Sequence, residues 1–148
     1  MRTIKFKAKR LDNGEWLEGY YRCNYEGKAF ISRIKRPPLL FEVDPSTVCQ
    51  FTGFLDKNGK EIYEGDVLRS DIYPFSCVGD DEYDNYYGTI GWSEYEASFY
   101  IVAIKNPKSS VRGISDGITD SISQKTMQGF EVVGSIHDKE WQEKLNLK

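Results

Sequence analysis

The stretch FTGFLDKNGKEIYEGDVLRS, residues 51–70, decides the expected fold of this chain. Its Asn58-Gly59 pair predicts a hairpin turn, because a type I′ turn needs positive φ at both central residues and this pair accepts it. Gly65-Asp66 predicts a second change of direction before Val67-Leu68 enters another strand. We therefore interpret the polar cluster of this stretch as turns between short strands.

The same cluster has an alternative interpretation as an active site. Four of its carboxylates could act as a paired acid and base: Asp56, Glu61, Glu64 and Asp66. No nucleophile motif accompanies them, and Asp is a common turn residue. The only histidine, His137, follows the last predicted strand, so any histidine-based relay would depend on it alone. We expect no catalytic residues and no enzymatic activity.

Strand patterns continue on the N-terminal side. Apolar and cationic side chains alternate over residues 4–9: Ile4, Phe6 and Ala8 with Lys5, Lys7 and Lys9. This period of two predicts a strand with its lysines on one face. Asp12-Asn13-Gly14 predicts the turn of a hairpin to residues 15–21, and residues 28–32 form a further strand candidate before Pro37-Pro38.

The C-terminal half has the same short-strand pattern. Residues 89–102 predict two strands joined by the turn 93–96, and residues 130–136 predict the last strand. Asp138 is a candidate N-cap for a short helix from Lys139 to about Leu145. Together these elements predict an all-β, mainly antiparallel chain with a short C-terminal helix, arranged as a small barrel or as packed sheets.

The length of 148 residues suits a single domain. Within it we expect a basic β region over about residues 1–40, a barrel-like β region over about 41–137 and the helix over 138–148.

Charge is unevenly distributed, although the net charge is only −3. Residues 1–40 contain ten Lys or Arg and four Asp or Glu, giving +6, whereas residues 41–148 contain ten and nineteen, giving −9. A basic end can steer a polyanion, or can steer one subunit onto another. The candidate nucleic-acid-binding residues are the cations of this basic end: Lys5, Lys7, Lys9, Arg10, Arg33, Lys35 and Arg36.

The basic strand also has a purely structural interpretation. Tyr20 and Tyr21 could add stacking surfaces for nucleic-acid bases. Lysines on an exposed strand, however, also prevent edge-to-edge aggregation, and the acidic character of the whole chain weakens its attraction for a polyanion.

Cysteine and acidic residues do not predict a metal site. Cys23, Cys49 and Cys77 are odd in number and widely spaced, which favours free thiols over a zinc knuckle or a disulfide framework. In the acidic loop 79–88, an EF-hand beginning at Asp80 would have Asn85 where glycine is required and Gly91 where glutamate is required. No signal peptide or membrane segment is evident, so we expect a cytoplasmic protein without metal, cofactor or membrane association.

Four segments carry a family resemblance: KFKAKRLDNGEWLEGYY, VDPSTVCQFTGFLDKNGKEIYEGDVLR, GTIGWSEYEASFYI and FEVVGSIHD. In this order they resemble the YopX family of small phage and prophage proteins over nearly the whole chain. The resemblance implies an N-terminal sheet region combined with an SH3-like barrel, and a bacterial host cell. It implies no catalytic residues, and it places variable loops at 70–87 and 105–129.

The sequence therefore favours a non-enzymatic accessory protein that binds another protein or itself. Aromatic residues make up 14% of the chain, and such side chains are enriched at interfaces. The alternative is a nucleic-acid-binding module that uses the basic N-terminal strand.

Overall fold

The computed structural model describes residues 1–33, 39–70, 86–104 and 119–145. Over these residues the chain is mainly antiparallel β-sheet with two short helices, so the predicted all-β class is confirmed. The chain divides into two compact units, Met1–Gly53 and Phe54–Lys148.

The N-terminal unit is built from a sheet in which consecutive strands form hairpins. The strand order is β4-β3-β2-β1-β5, and the predicted hairpin of the first two strands is confirmed. The strands are β1 (Phe6–Lys9), β2 (Trp16–Cys23), β3 (Ala29–Arg33), β4 (Leu39–Val43) and β5 (Cys49–Leu55).

Alternation along these strands separates two faces of the N-terminal sheet. One face, here called the core face, carries a buried cluster: Ala8, Leu17, Ala29, Ile31 and Val43. The other, here called the lysine face, carries Lys5, Lys7 and Lys9. Neighbours in register share a face, so Lys7 lies beside Glu18, as Ala8 lies beside Leu17.

The end of β4 returns to the end of β1. Arg10 forms a β-bridge with Val43, and the Asp44 amide donates to the Lys9 carbonyl at 2.8 Å. A 3₁₀ turn, Pro45–Thr47, then leads into β5, which pairs with β1. The first compact unit, Met1–Gly53, therefore contains the strands on both sides of this turn.

The second unit begins within β5 and contains the other described elements. Its five-stranded sheet has the order β10-β9-β8-β7-β11, and β6 pairs with β5. The strands are β6 (Glu61–Tyr63), β7 (Asp66–Ser70), β8 (Tyr86–Ser93), β9 (Ser98–Ile104), β10 (Thr119–Ser121) and β11 (Glu131–Ser135). The helices are α1 (Gln124–Met127) and α2 (Lys139–Lys144).

Strand β7 is buried on both faces and so divides two apolar clusters. Leu68 packs in a cluster with Ile90 and Phe130. Its neighbour Val67 packs in another with Trp141 of α2. Because successive strand residues point to opposite faces, two adjacent apolar residues are needed here. As described, this sheet is open, so the SH3-like barrel stays a prediction.

The structure corrects two details of the C-terminal half. Residues 119–129 were expected to be loop, but they contain β10 and α1, and Met127 is fully buried because α1 packs its apolar side against the core. Asp138 lies at the N-cap of α2 but does not cap it with its side chain. Its carboxylate instead accepts from the Ser135 amide at 3.1 Å.

Candidate functional site

Lys5, Lys7 and Lys9 lie on one face of the N-terminal sheet, as predicted, and each of them contacts an aromatic ring. Each is only partly exposed. The Lys5 ammonium lies 5.1 Å from the centre of the Phe51 ring. Lys7 and Lys9 lie 4.8 and 5.2 Å from the centre of the Trp16 ring.

These cation–π contacts come from the strand register. Lys9 is opposite Trp16, and Lys7 is opposite Glu18. A cation over an aromatic ring contributes about 0.5–1 kcal/mol at an exposed site. Each lysine also makes further interactions, so the lysine face is a structural part of the N-terminal unit as well as a candidate contact surface.

Arg10 and Arg33 lie on the opposite face from the lysines. The Arg10 guanidinium lies 4.7 Å from the centre of the Phe41 ring, on the core face. Arg33 is opposite Leu39 and two residues from the buried Ile31, which gives it the same orientation. These arginines therefore do not extend the lysine face as the sequence analysis expected. Lys35 and Arg36 lie outside the described residues.

Arg10 has a local acidic partner. Its guanidinium donates to the Asp12 carboxylate in an exposed ion pair. The hydrogen bond from Arg10 lowers the pKa of the Asp12 carboxyl and raises the pKa of Arg10. Part of the positive charge of Arg10 is thus neutralised within the hairpin turn.

The two tyrosines proposed as stacking surfaces point in opposite directions. Tyr20 shares the lysine face, and 49% of it is exposed. Tyr21 lies on the core face, where its ring is 5.5 Å from that of Phe6. Burial raises the pKa of the Tyr21 phenol. One of the two rings therefore accompanies the lysines.

The carboxylates of residues 51–70 have structural hydrogen-bond partners. Buried Asp56 accepts from three backbone amides, and buried Asp66 accepts from the Tyr63 amide at 2.8 Å. Glu61 accepts from the Tyr63 hydroxyl at 2.8 Å. Glu64 also has an interaction partner. This arrangement supports the interpretation of the stretch as turns.

His137 lies at the junction of β11 and α2. Its backbone amide donates to the Ser135 hydroxyl at 3.3 Å, and its imidazole lies close to Gly65 in the turn before β7. Cys49 is buried and Cys23 is exposed, both as free thiols. Across the described ranges no group of three or more His, Cys, Asp or Glu is placed to hold a metal ion.

Sequence reasoning missed an exposed apolar corner at the edge of the N-terminal sheet. It consists of Tyr20 and Leu40 on the lysine face and Tyr21 and Leu39 on the core face, and is here called the β2–β4 corner. Leu39 and Leu40 are 45% and 49% exposed. In the sequence, the two leucines are only an apolar pair that follows two prolines. Their exposed fractions in the folded chain show that neither of them is buried.

Fold and surface together define a class: an all-β protein with a basic N-terminal unit and an acidic second unit. The family model described as "YopX protein" matches residues 5–140. The chain belongs to the YopX family, as the resemblance predicted. In the part of the chain that is described, no helix has the length and apolar character needed to cross a membrane.

The fold resembles that of a protein of known structure. The crystal structure of protein EF1440 from Enterococcus faecalis is similar with a TM-score of 0.51 and 19% sequence identity. The similarity covers 95% of this chain and 97% of that chain. At this identity it bears on the fold alone. No curated protein matches the chain.

Proposed function

We propose that this protein is a non-enzymatic phage or prophage accessory protein, a cytoplasmic β module of the bacterial host cell that binds another protein or itself through the β2–β4 corner. One observation carries the proposal. Tyr20 is opposite Ser32, and Ser32 is opposite Leu40, so two half-exposed apolar side chains flank a small polar residue on one face. Tyr20 and Leu40 are two strand spacings apart, a distance of roughly 10 Å.

The position of β4 supports the same function. It is the last strand of the sheet order, beyond β3. Its outer edge is occupied at the C-terminal end, where the Leu11 amide donates to the Glu42 carbonyl at 3.2 Å and Val43 bridges Arg10. The Leu39–Leu40 end, with its exposed apolar side chains, is the part that offers main-chain hydrogen bonds and side-chain contacts to an added strand. Natural proteins usually protect such an edge with charge, but the sequence of β4 begins with Leu39-Leu40-Phe41. A protein strand is the natural occupant of a surface of this kind.

Charge distribution adds a means of orientation. Residues 1–53 contain ten Lys or Arg and six Asp or Glu, giving +4, while residues 54–148 contain ten and seventeen, giving −7. Opposite charges on two units can steer an approaching copy of the chain and fix its orientation.

Sedimentation velocity over a range of protein concentrations tests this function. We expect reversible self-association that Leu40→Lys abolishes, because a charge would have to be buried in the interface. Tyr25→Lys is the matched control, since Tyr25 is 97% exposed in the turn between β2 and β3 and lies outside the corner. A chain that stays monomeric would exclude self-association. Photo-crosslinkers at positions 40 and 25 would then test for a different protein partner.

Nucleic-acid binding is the second candidate, favoured by the shared face of the three lysines and Tyr20. Its test is fluorescence anisotropy with labelled mixed-sequence DNA and RNA at low and near-physiological salt. A Lys5/Lys7/Lys9→Gln variant should lose a salt-sensitive complex, because each lost phosphate contact lowers the salt dependence by about 0.9.

The control variant for the anisotropy experiment loses the same number of positive charges from positions outside the lysine face. Lys28, Arg33 and Lys57 are exposed and lie outside the lysine face. A variant with these three changed to Gln should keep the complex. Equal losses in both variants would indicate a response to net charge alone, and no binding at low salt would exclude this function.

A further inference from the structure

A groove lies where the β8–β9 hairpin turn meets β10, in the second unit. Its volume is about 550 Å³. It is independent of the function proposed for the β2–β4 corner. Serine and threonine hydroxyl groups line it together with three aromatic rings and two carboxylates: Trp92, Phe99, Tyr100, Glu96 and Asp120.

The aromatic rings of the groove are held in place by the hairpin. Trp92 is 40% exposed, and its ring packs edge-on against buried Phe99, with 4.8 Å between ring centres. Tyr100 lies directly over Gly91, where an added Cβ would be 2.6 Å from the tyrosine ring. A glycine at that position lets the ring lie flat across the strand pair. By this register Tyr100 lies on the opposite face of the strand pair from Trp92 and Phe99, so the exposed Trp92 ring is the stacking surface on its face of the groove.

The charged side chains of the groove are both acidic. Glu96 is exposed at the hairpin turn, and Asp120 lies in β10. Oδ1 of Asp120 accepts from the Ser121 amide at 2.8 Å, which orients that carboxylate. Among the described residues neither carboxylate has an ion-pair partner, and no Lys or Arg lines the groove.

We propose that this groove binds an arginine side chain from an extended segment of a protein partner. A guanidinium is planar, so it can stack on an aromatic ring while its N–H groups donate to a carboxylate. The hydroxyl groups of the groove add acceptors for its remaining donors and for the backbone of the segment. The net charge of −7 on this unit attracts the same kind of segment.

A neutral sugar is the competing occupant, because it also stacks on aromatic rings and hydrogen-bonds to carboxylates. Among the described residues that line the groove, both charged side chains are anions, which favours the cation. The two occupants differ in how they respond to loss of that charge.

A peptide titration followed by NMR tests the proposal. The probe is an acetylated and amidated pentapeptide with one central arginine among glycine and serine residues. Its control carries citrulline, which keeps the shape but removes the charge. The ¹⁵N-labelled protein has three indole signals, from Trp16, Trp92 and Trp141. We expect the arginine peptide to shift the Trp92 signal and the citrulline peptide to leave it unchanged.

Isosteric variants test the carboxylates without opening a cavity. We expect Glu96→Gln with Asp120→Asn to weaken arginine-peptide binding about tenfold or more, through loss of two charge-assisted contacts. Glu94→Gln is the matched control, because Glu94 is exposed in the same turn but does not line the groove. Its peptide affinity should equal that of the natural chain.

Three results would overturn the proposal. The first is equal binding of the arginine and citrulline peptides. The second is unchanged affinity in the Glu96/Asp120 variant with the fold intact by NMR. The third is a Trp92 shift caused by a neutral tetrasaccharide but not by the arginine peptide, which would assign the groove to a sugar.

Discussion

The Oδ2 atom of Asp56 accepts a hydrogen bond from the backbone amide of Val132 at 2.9 Å, across 76 residues of sequence. Its Oδ1 atom accepts from the amides of Asn58 and Lys60, both at 2.8 Å. Asp56 is 1% exposed. A buried carboxylate is tolerated only when donors surround it, so these three amides let one side chain shape the β5–β6 turn and join it to β11.

Replacing Asp56 should therefore destabilise the second unit. We expect Asp56→Ala to lower the free energy of unfolding by roughly 3 kcal/mol, because three backbone donors lose their acceptor. Asp56→Asn should cost less, since its carbonyl oxygen still accepts. Urea denaturation measures both. Lys57→Ala, an exposed change in the same turn, should stay within about 0.5 kcal/mol of the natural chain. A similar result for Asp56→Ala would contradict this role.

The turn itself is of a different type from the one the sequence predicts. Gly59 has φ of 77°, but Asn58 is not among the residues with positive φ. The Gly59 amide donates to the Asp56 carbonyl at 3.0 Å, and the Asp56 amide donates to the Lys60 carbonyl at 2.8 Å. This is a type I turn followed by a glycine bulge, not the type I′ turn.

Alanine substitutions distinguish these two turn types. Gly59→Ala should lower the free energy of unfolding by about 1 kcal/mol, because the backbone at this position is left-handed. Crowding does not contribute, since an added Cβ would meet no atom within 4 Å. Asn58→Ala should change stability by less than about 0.5 kcal/mol in a type I turn. Thermal denaturation of the two variants gives the comparison. Equal destabilisation by both would favour the type I′ turn.

The position of this turn was predictable from sequence, whereas its type was not. Asn-Gly marks a bend through local backbone preference. The type depends on Asp56, whose burial requires contact with β11, and no local pattern contains that contact. The lysine alternation over Lys5, Lys7 and Lys9 was likewise local and correctly placed. Arg10 and Arg33 were assigned to the same surface by charge alone, whereas the strand register places them on the opposite face.

The groove in the second unit also contains one part that local sequence patterns predict and one part that they do not. The hairpin that carries Trp92 and Glu96 was predicted from its strand residues and polar turn. Its third wall, β10, lies within the segment 105–129 that was expected to be loop. Asp120 therefore could not be placed beside the hairpin, because short strands such as Thr119–Ser121 have too few residues to show a period.

The hairpin turn contains a strained residue. Ala97 has φ of 50°, the left-handed region that side chains with a Cβ avoid. We expect Ala97→Gly to raise the free energy of unfolding by about 0.5 kcal/mol, after the added flexibility of the unfolded chain is subtracted. Urea denaturation measures the gain. A loss of stability would mean that the Ala97 methyl group contributes packing that outweighs the strain.

Glycine is required at position 134 because there is no space for a side chain, not because of its backbone angle. The Trp141 indole lies against it, so that an added Cβ would overlap the indole ring. This close approach lets Trp141 Nε1 donate to the Val133 carbonyl at 3.1 Å, and Trp141 packs with buried Val67. A β-bulge between Val132 and Gly134 places the glycine under the ring.

Gly134→Ala should therefore displace Trp141 and detach α2 from the sheet. We expect the free energy of unfolding to fall by about 1–3 kcal/mol, as is typical of overpacking. The tryptophan emission should move to longer wavelength as the indole becomes exposed. Gly129→Ala is the control, since its Cβ would meet its nearest neighbour at an ordinary 3.5 Å. An unchanged spectrum in Gly134→Ala would show that α2 adjusts without losing this contact.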